Sequence, residues 1–188
     1  MRVIAGSARR LLLKTIPGDE TRPTTDKIKE TLFNMINFDL PGNTFLDLYA
    51  GSGAIGIEAL SRGAEYAVFV DNSAKAAACI RENVEHTHFT DRSEILTSDA
   101  AAALRRLEHT RKQPFGIIFL DPPYDKGLED TVLSILARSP LADEDTMFIV
   151  EMSREADTEK FRRLGYEITR TKEYKTNKHV FLRRPALE

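Results

Sequence analysis

The stretch Thr44-Phe45-Leu46-Asp47-Leu48-Tyr49-Ala50-Gly51-Ser52-Gly53-Ala54-Ile55-Gly56 decides the fold. An apolar run of strand character enters a G-x-G-x-x-G turn, and residues 54–62 read as a helix closed by Gly63. Glycines at such a turn let the chain reverse tightly and bring its backbone close to a ligand. The next apolar run, 66–70, ends at Asp71, where a carboxylate can accept hydrogen bonds from both hydroxyls of a ribose. Strand, glycine turn, helix and acidic strand end together point to a site for an adenosine-containing cofactor. A dinucleotide would set its pyrophosphate at the helix N-terminus, whereas S-adenosylmethionine would lay its amino-acid and ribose parts over the turn, with Asp47 near the ammonium. The turn alone does not choose between them.

Working outward, the same rhythm continues. Further strands are predicted over 94–96, 116–120 and 146–150, and helices over 73–86 with Ser73 as N-cap, 100–110 and 128–137. That alternation is the pattern of a parallel α/β sheet. After a short helix near 158–164, strands over 166–174 and 179–183, with Thr176-Asn177 at the turn, predict a hairpin that adds one antiparallel strand. The expected fold is therefore α/β and Rossmann-like: a mostly parallel seven-stranded sheet with helices on both faces. The first 43 residues depart from the rhythm. Runs 2–4 and 11–13 bracket Gly6 as a small β element, Pro17-Gly18 breaks the chain, and a helix follows over 25–37 with Ile28, Leu32, Met35 and Ile36 on one face. We read 1–188 as one domain, with 1–43 as a hairpin-and-helix extension and 44–188 as the core.

Composition narrows the function classes. With 188 residues, 41% apolar and 30% charged, the chain can bury one sizeable core, which excludes disordered, collagen-like and coiled-coil classes. The single cysteine, Cys79, sits in an apolar run and reads as core, and no Cys/His cluster suggests a metal. No run approaches the length of a membrane span, and there is no apolar leader, so a cytoplasmic protein is expected. Net charge is −2, but both ends are basic. Arg2, Arg9, Arg10 and Lys14 stand in 1–16 without an acid, and Arg170, Lys172, Lys175, Lys178, Arg183 and Arg184 in 170–184 face Glu173 alone. A polyanion could meet a local positive field there if the termini lie together; solvated edge strands would give the same pattern.

Directly after the 116–120 strand stands Asp121-Pro122-Pro123-Tyr124, at the carboxyl edge where open α/β sheets bind ligands. Two prolines stiffen the turn and remove two backbone donors, leaving outward carbonyls. The Asp121 carboxylate and the Pro122 carbonyl make a pair of acceptors that can grip an exocyclic amino group, while Tyr124 offers a flat face to a base. An aromatic amine is a weak nucleophile because its lone pair is delocalised. Two acceptors on its hydrogens orient it and return electron density to nitrogen, favouring in-line attack on a sulfonium methyl. The tetrapeptide thus selects methyl transfer over hydride transfer. Whether Asp121 also takes the proton is left open.

Asp47-Leu48-Tyr49-Ala50-Gly51-Ser52-Gly53, Asp71, Asp99 and Asp121-Pro122-Pro123-Tyr124 resemble the successive motifs of class I S-adenosylmethionine-dependent amino-methyltransferases. Arg2-Val3-Ile4-Ala5-Gly6, Thr21-Arg22-Pro23-Thr24-Thr25-Asp26 and Glu30-Thr31-Leu32-Phe33-Asn34 are similar to the RsmD family, which methylates N2 of one guanine, position 966, in 16S ribosomal RNA. The resemblance implies S-adenosylmethionine as cofactor, contacted by Asp47, Tyr49, Ala50, Gly51, Ser52, Gly53, Asp71, Asn72, Asp99 and Ala100. It implies Asp121, Pro122, Pro123 and Tyr124 as the catalytic pocket for guanine. Arg9, Arg10, Arg22, Thr24 and Lys175 would meet RNA, within a partly assembled 30S particle and as a monomer. Arg22 and Thr24 can equally be read as a solvated cation and a helix cap. The hairpin departs from the family in carrying Arg9-Arg10-Leu11 where a Gly-Arg pair is expected.

Three rivals share parts of this pattern. A nicotinamide oxidoreductase would use the glycine turn but leaves Asp121 to Tyr124 idle. An amino-methyltransferase acting on adenine N6 or on protein glutamine would use both motifs. A non-catalytic RNA-binding protein on the same scaffold would have no need of Asp121 or the glycines.

Overall fold

A computed structural model describes residues 1–18 and 25–187, so Arg22 and Thr24 lie outside the described residues. The chain falls into two compact units, Met1–Asp99 and Ala100–Glu188. The first carries α1 (Asp26–Met35), β1 (Thr44–Leu48), α2 (Ala54–Ser61), β2 (Tyr66–Asp71), α3 (Ala74–His86) and β3 (Ser93–Thr97). The second carries α4 (Ala100–Thr110), β4 (Ile117–Leu120), α5 (Leu128–Leu136), β5 (Met147–Ser153), α6 (Glu159–Arg163), β6 (Glu167–Glu173) and β7 (Asn177–Arg183). The strand order is β3-β2-β1-β4-β5-β7-β6, with β7 antiparallel to both its neighbours. This is the expected seven-stranded, mostly parallel sheet. Among the described residues no helix is long and apolar enough to cross a membrane.

In the first unit, β1 pairs in parallel with β2 and β2 with β3. Phe45, Leu46, Leu48, Val68, Phe69 and Val70 are all buried, as parallel strands covered on both faces require. The third glycine of the turn has its reason here. A Cβ on Gly56 would lie 2.4 Å from Cε1 of the fully buried Phe69, so only glycine lets α2 approach β2 this closely. Thr25 caps α1 by accepting from Ile28 N at 3.2 Å, and Ser73 caps α3 by accepting from Ala76 N at 3.3 Å. The buried stripe leading out of α1 is Lys29, Leu32, Phe33 and Ile36, which corrects the expected face: Ile28 and Met35 lie at its margin. The small β element is a single antiparallel bridge, Arg2 to Leu12, extended by Val3 N to Leu11 O at 2.9 Å.

In the second unit, β4 pairs in parallel with β5, and the β6–β7 hairpin completes the sheet. Its turn falls one residue earlier than predicted, on Lys175-Thr176, because Tyr174 N donates to Asn177 O at 2.8 Å and β7 begins at Asn177. Arg184 is 8% exposed and donates to Leu136 O at 2.9 Å and Ser139 O at 3.0 Å, and also to Ala142 O. It thereby satisfies carbonyls at and beyond the end of α5.

Candidate functional site

The glycine turn is held open by its own backbone. Tyr49 (φ +63°), Gly51 (+57°) and Gly53 (+81°) all occupy the left-handed region. Tyr49 pays about 1 kcal/mol for that conformation, a strain of the kind that clusters at functional sites. Ala50 N donates to Val70 O at 2.9 Å, and Gly53 N to Ala50 O at 2.8 Å. Asp71, at the end of β2, grips the turn directly: Oδ2 accepts from Gly51 N and Oδ1 from Ser73 N, both at 2.9 Å. Each oxygen keeps a further lone pair for a ligand hydroxyl. A Cβ on Gly51 would meet nothing within 4 Å, so the space beside the turn is open. Ser98 N donates to Asp71 O at 3.0 Å, which brings the end of β3 beside the end of β2. Asn72 and Asp99 are exposed, Ser52 is half-buried, and Ala100 is buried as the first residue of α4.

Asp47 sits behind the turn, 1% exposed, with Oδ2 accepting from Gly56 N at 3.0 Å. Burial pushes its carboxyl up to about 7; the Gly56 bond opposes the rise and the nearby Asp71 adds to it. The bond to Gly56 makes Asp47 a support for the first turn of α2.

The tetrapeptide follows β4 immediately, as predicted. Asp121 and Tyr124 are half-buried, Pro122 is buried and Pro123 exposed. Leu120 is in register with Val150, so Asp121 leaves the strand at the carboxyl end of a parallel pair. Asp125 (φ +62°) and Gly127 (φ +62°) then turn the chain into α5.

Of the cations singled out for RNA, Arg9, Arg10 and Lys175 are exposed. Arg10 has φ +74°, a strained conformation for a side chain other than glycine, at the point where its N donates to Val3 O at 2.9 Å. Two members of the basic tail are not surface charges. Lys178 is 7% exposed and donates to Ala156 O at 2.7 Å, and Arg184 is the buried cap described above. Their partners are backbone carbonyls, one for Lys178 and three for Arg184.

A buried ionic network went unforeseen. Glu58 of α2 is fully buried and accepts from Ile4 N at 2.9 Å, Ala5 N at 3.1 Å and Arg62 Nε at 2.9 Å. Lys29 Nζ lies 3.7 Å from Glu58 and donates to Arg2 O at 2.6 Å; its pKa is lowered by burial, with Glu58 opposing. The network binds the N-terminal segment and α1 to the helix that the glycine turn opens. A lone acid in the apolar run Ala54-Ile55-Gly56-Ile57-Glu58-Ala59-Leu60 was its only signal. In the second unit, His179 Nε2 and Glu151 Oε2 are 2.9 Å apart, both groups buried, and Asn177 Nδ2 donates to Glu151 Oε1 at 3.1 Å.

Comparison with known proteins bears on both halves of this geometry. YlbH of Bacillus subtilis (strain 168), named as a candidate rRNA methyltransferase, is 41% identical over 157 residues, covering 84% of this chain and 85% of that protein. Ribosomal RNA small subunit methyltransferase D of Escherichia coli (strain K12) is 33% identical over 152 residues, covering 79% and 73%. Among solved structures, Escherichia coli yhhF, described as a candidate methyltransferase, superimposes with a TM-score of 0.81 at 31% identity over 100% of this chain and 99% of that one. The family model described as conserved hypothetical protein 95 matches residues 1–183. With that match spanning both the glycine turn and the tetrapeptide, the chain belongs to the conserved hypothetical protein 95 family, the RsmD family.

Proposed function

We propose that this chain methylates the exocyclic N2 of a guanine in small-subunit ribosomal RNA, the methyl coming from S-adenosylmethionine. S-adenosylmethionine-dependent methylation of ribosomal RNA is the activity of the family. The observation that carries the finer reading is Asp121-Pro122-Pro123-Tyr124 at the carboxyl end of β4, in a chain whose β2 ends in a carboxylate already fastened to a glycine turn.

The residues present fit the cofactor. Asp71 retains lone pairs for ribose hydroxyls, the backbone of residues 49–53 lies beside open space, and Asn72, Asp99 and Ala100 follow the ends of neighbouring strands. When bound, S-adenosylmethionine supplies an electrophilic methyl on a sulfonium. The protein's own work is positioning and electrostatics. Asp121 and the Pro122 carbonyl accept from the two amino hydrogens, turn the nitrogen lone pair out of conjugation, and stabilise positive charge as it grows on nitrogen. Tyr124 stacks on the base, which must already be unstacked from its neighbours. Arg9, Arg10 and Lys175 hold phosphates and set the register without reading sequence. The reaction belongs in the cytoplasm, on RNA within a partly assembled 30S particle, with the protein acting as a monomer.

The test is transfer of labelled methyl to small ribosomal subunits lacking the modification, followed by nucleoside analysis of the digested RNA. Label in N2-methylguanosine is the expected result. Label in N6-methyladenosine, or label recovered as methylglutamine on hydrolysis of the subunit's protein fraction, would keep the amine chemistry and overturn the substrate.

A further inference from the structure

Asn83 lies on α3, 1% exposed, and its amide is spent on two segments far from it in sequence. Oδ1 accepts from Lys14 N at 2.8 Å, while Nδ2 donates to Lys14 O at 3.0 Å and to Ser52 O at 2.9 Å. Lys14 belongs to the basic N-terminal segment; Ser52 is the middle residue of the glycine turn. The Ser52 carbonyl and the Gly53 N–H share one rigid peptide plane. That plane is therefore pinned at both edges, its oxygen by Asn83 and its N–H by Ala50 O at 2.8 Å. Other side chains also latch the N-terminal segment: Asp26 and Lys29 of α1 hold Arg2, Cys79 and Glu82 of α3 hold Lys14, and two residues of α2 hold residues 4–8. Glu58 holds Ile4 N and Ala5 N, and Ser61 Oγ accepts from Ala8 N at 3.0 Å and donates to Ala5 O at 2.6 Å.

We propose that Asn83 is a positioning residue for cofactor binding: one buried amide sets the 52–53 peptide plane and locks the basic segment to the same point, so that the glycine turn is ordered before a cofactor arrives. The inference rests on the cofactor reading above and adds to it a residue outside the motif. An ordered turn costs less to occupy than a mobile one. Losing the amide should therefore weaken cofactor affinity while leaving the transfer step itself intact.

The experiment uses S-adenosylhomocysteine as the probe, titrated calorimetrically into the full chain. Asn83→Leu removes every bond of the amide at similar volume. Asn83→Asp keeps the acceptor for Lys14 N and loses the donor to Ser52 O, providing a second route should the leucine variant fold poorly. Either variant should raise the Kd about tenfold. With saturating S-adenosylmethionine the kcat should stay within about twofold of wild type, so the loss appears in KM. Hydrogen exchange at Gly53 N–H should also accelerate in both variants. Ser61→Ala, which loosens the same N-terminal segment without touching the turn, should leave the Kd unchanged. Equal Kd values for wild type and both Asn83 variants would overturn the inference, as would a Ser61→Ala loss as large as theirs. A wild-type chain that binds no S-adenosylhomocysteine would instead overturn the cofactor reading, and this inference with it.

Discussion

Replacing Asp47 by asparagine should make the protein more stable, and increasingly so as pH rises. Asp47 is 1% exposed, and burial raises its carboxyl from an ordinary 3.8 to about 7. At about 1.4 kcal/mol per pH unit, that gap corresponds to about 4 kcal/mol of folding free energy. The direction follows from where the proton sits. Between pH 3.8 and about 7 the folded chain keeps a proton that the unfolded chain releases, so stability falls as pH rises through this window and levels off above it. Asparagine has no such dependence, and its carbonyl can still accept the Gly56 N–H. The variant and the wild type should therefore match near pH 4. By pH 8 the variant should lead by about 4 kcal/mol, about 3 of it gained above pH 5. Urea denaturation at pH 5 and pH 8 measures this, and the midpoint difference between the two proteins should widen by about 1 M or more. A midpoint difference that is the same at both pH values would refute the assignment of a buried, proton-retaining carboxyl at Asp47.

Asp121→Ala should abolish methyl transfer while leaving the Kd for S-adenosylhomocysteine within about twofold, since the residue's part is to orient the amine; a large affinity loss with transfer preserved would contradict that part. Arg9→Glu with Arg10→Glu should weaken RNA binding and lower the slope of log K against log salt by about 2 or more; an unchanged slope would remove the hairpin from the RNA surface. Gly56→Ala should destabilise by about 2 kcal/mol despite alanine's better helix propensity, because the added methyl meets the Phe69 ring, and thermal unfolding will report it. Arg184→Ala should cost about 3 kcal/mol in chemical denaturation, as it leaves the carbonyls of Leu136, Ser139 and Ala142 without their buried donor.

The elements that sequence predicts well are those governed by local rules. Apolar runs marked β1, β2, β4 and β5, and Ser73 announced the start of α3 through its side-chain oxygen. The glycine turn was legible because Gly51 and Gly53 answer a left-handed backbone and Gly56 a close approach to Phe69. Interactions decided by tertiary partners were not legible. Lys178 and Arg184 are indistinguishable in sequence from Lys175 and Arg183, yet the first two are buried on backbone carbonyls and the last two are exposed. The same blindness hid Lys29, whose ammonium is buried on Glu58 and Arg2 O, and Asn83, whose value lies in two segments that fold back upon it. The hairpin turn moved by one residue because Tyr174 and Asn177 close it through the backbone, without the glycine that usually announces such a turn.

The sheet ends at β6, and four of its seven residues, Glu167, Arg170, Lys172 and Glu173, are charged and all of them exposed. The pairing with β7 also slips between Ile168 and Arg170, which breaks the regular row of donors and acceptors along that margin. A foreign strand seeking to extend the sheet would have to desolvate those charges and match an irregular register. The margin is thus built to repel strand addition. An edge of this kind protects the folded chain from capture by unpaired strands of other proteins.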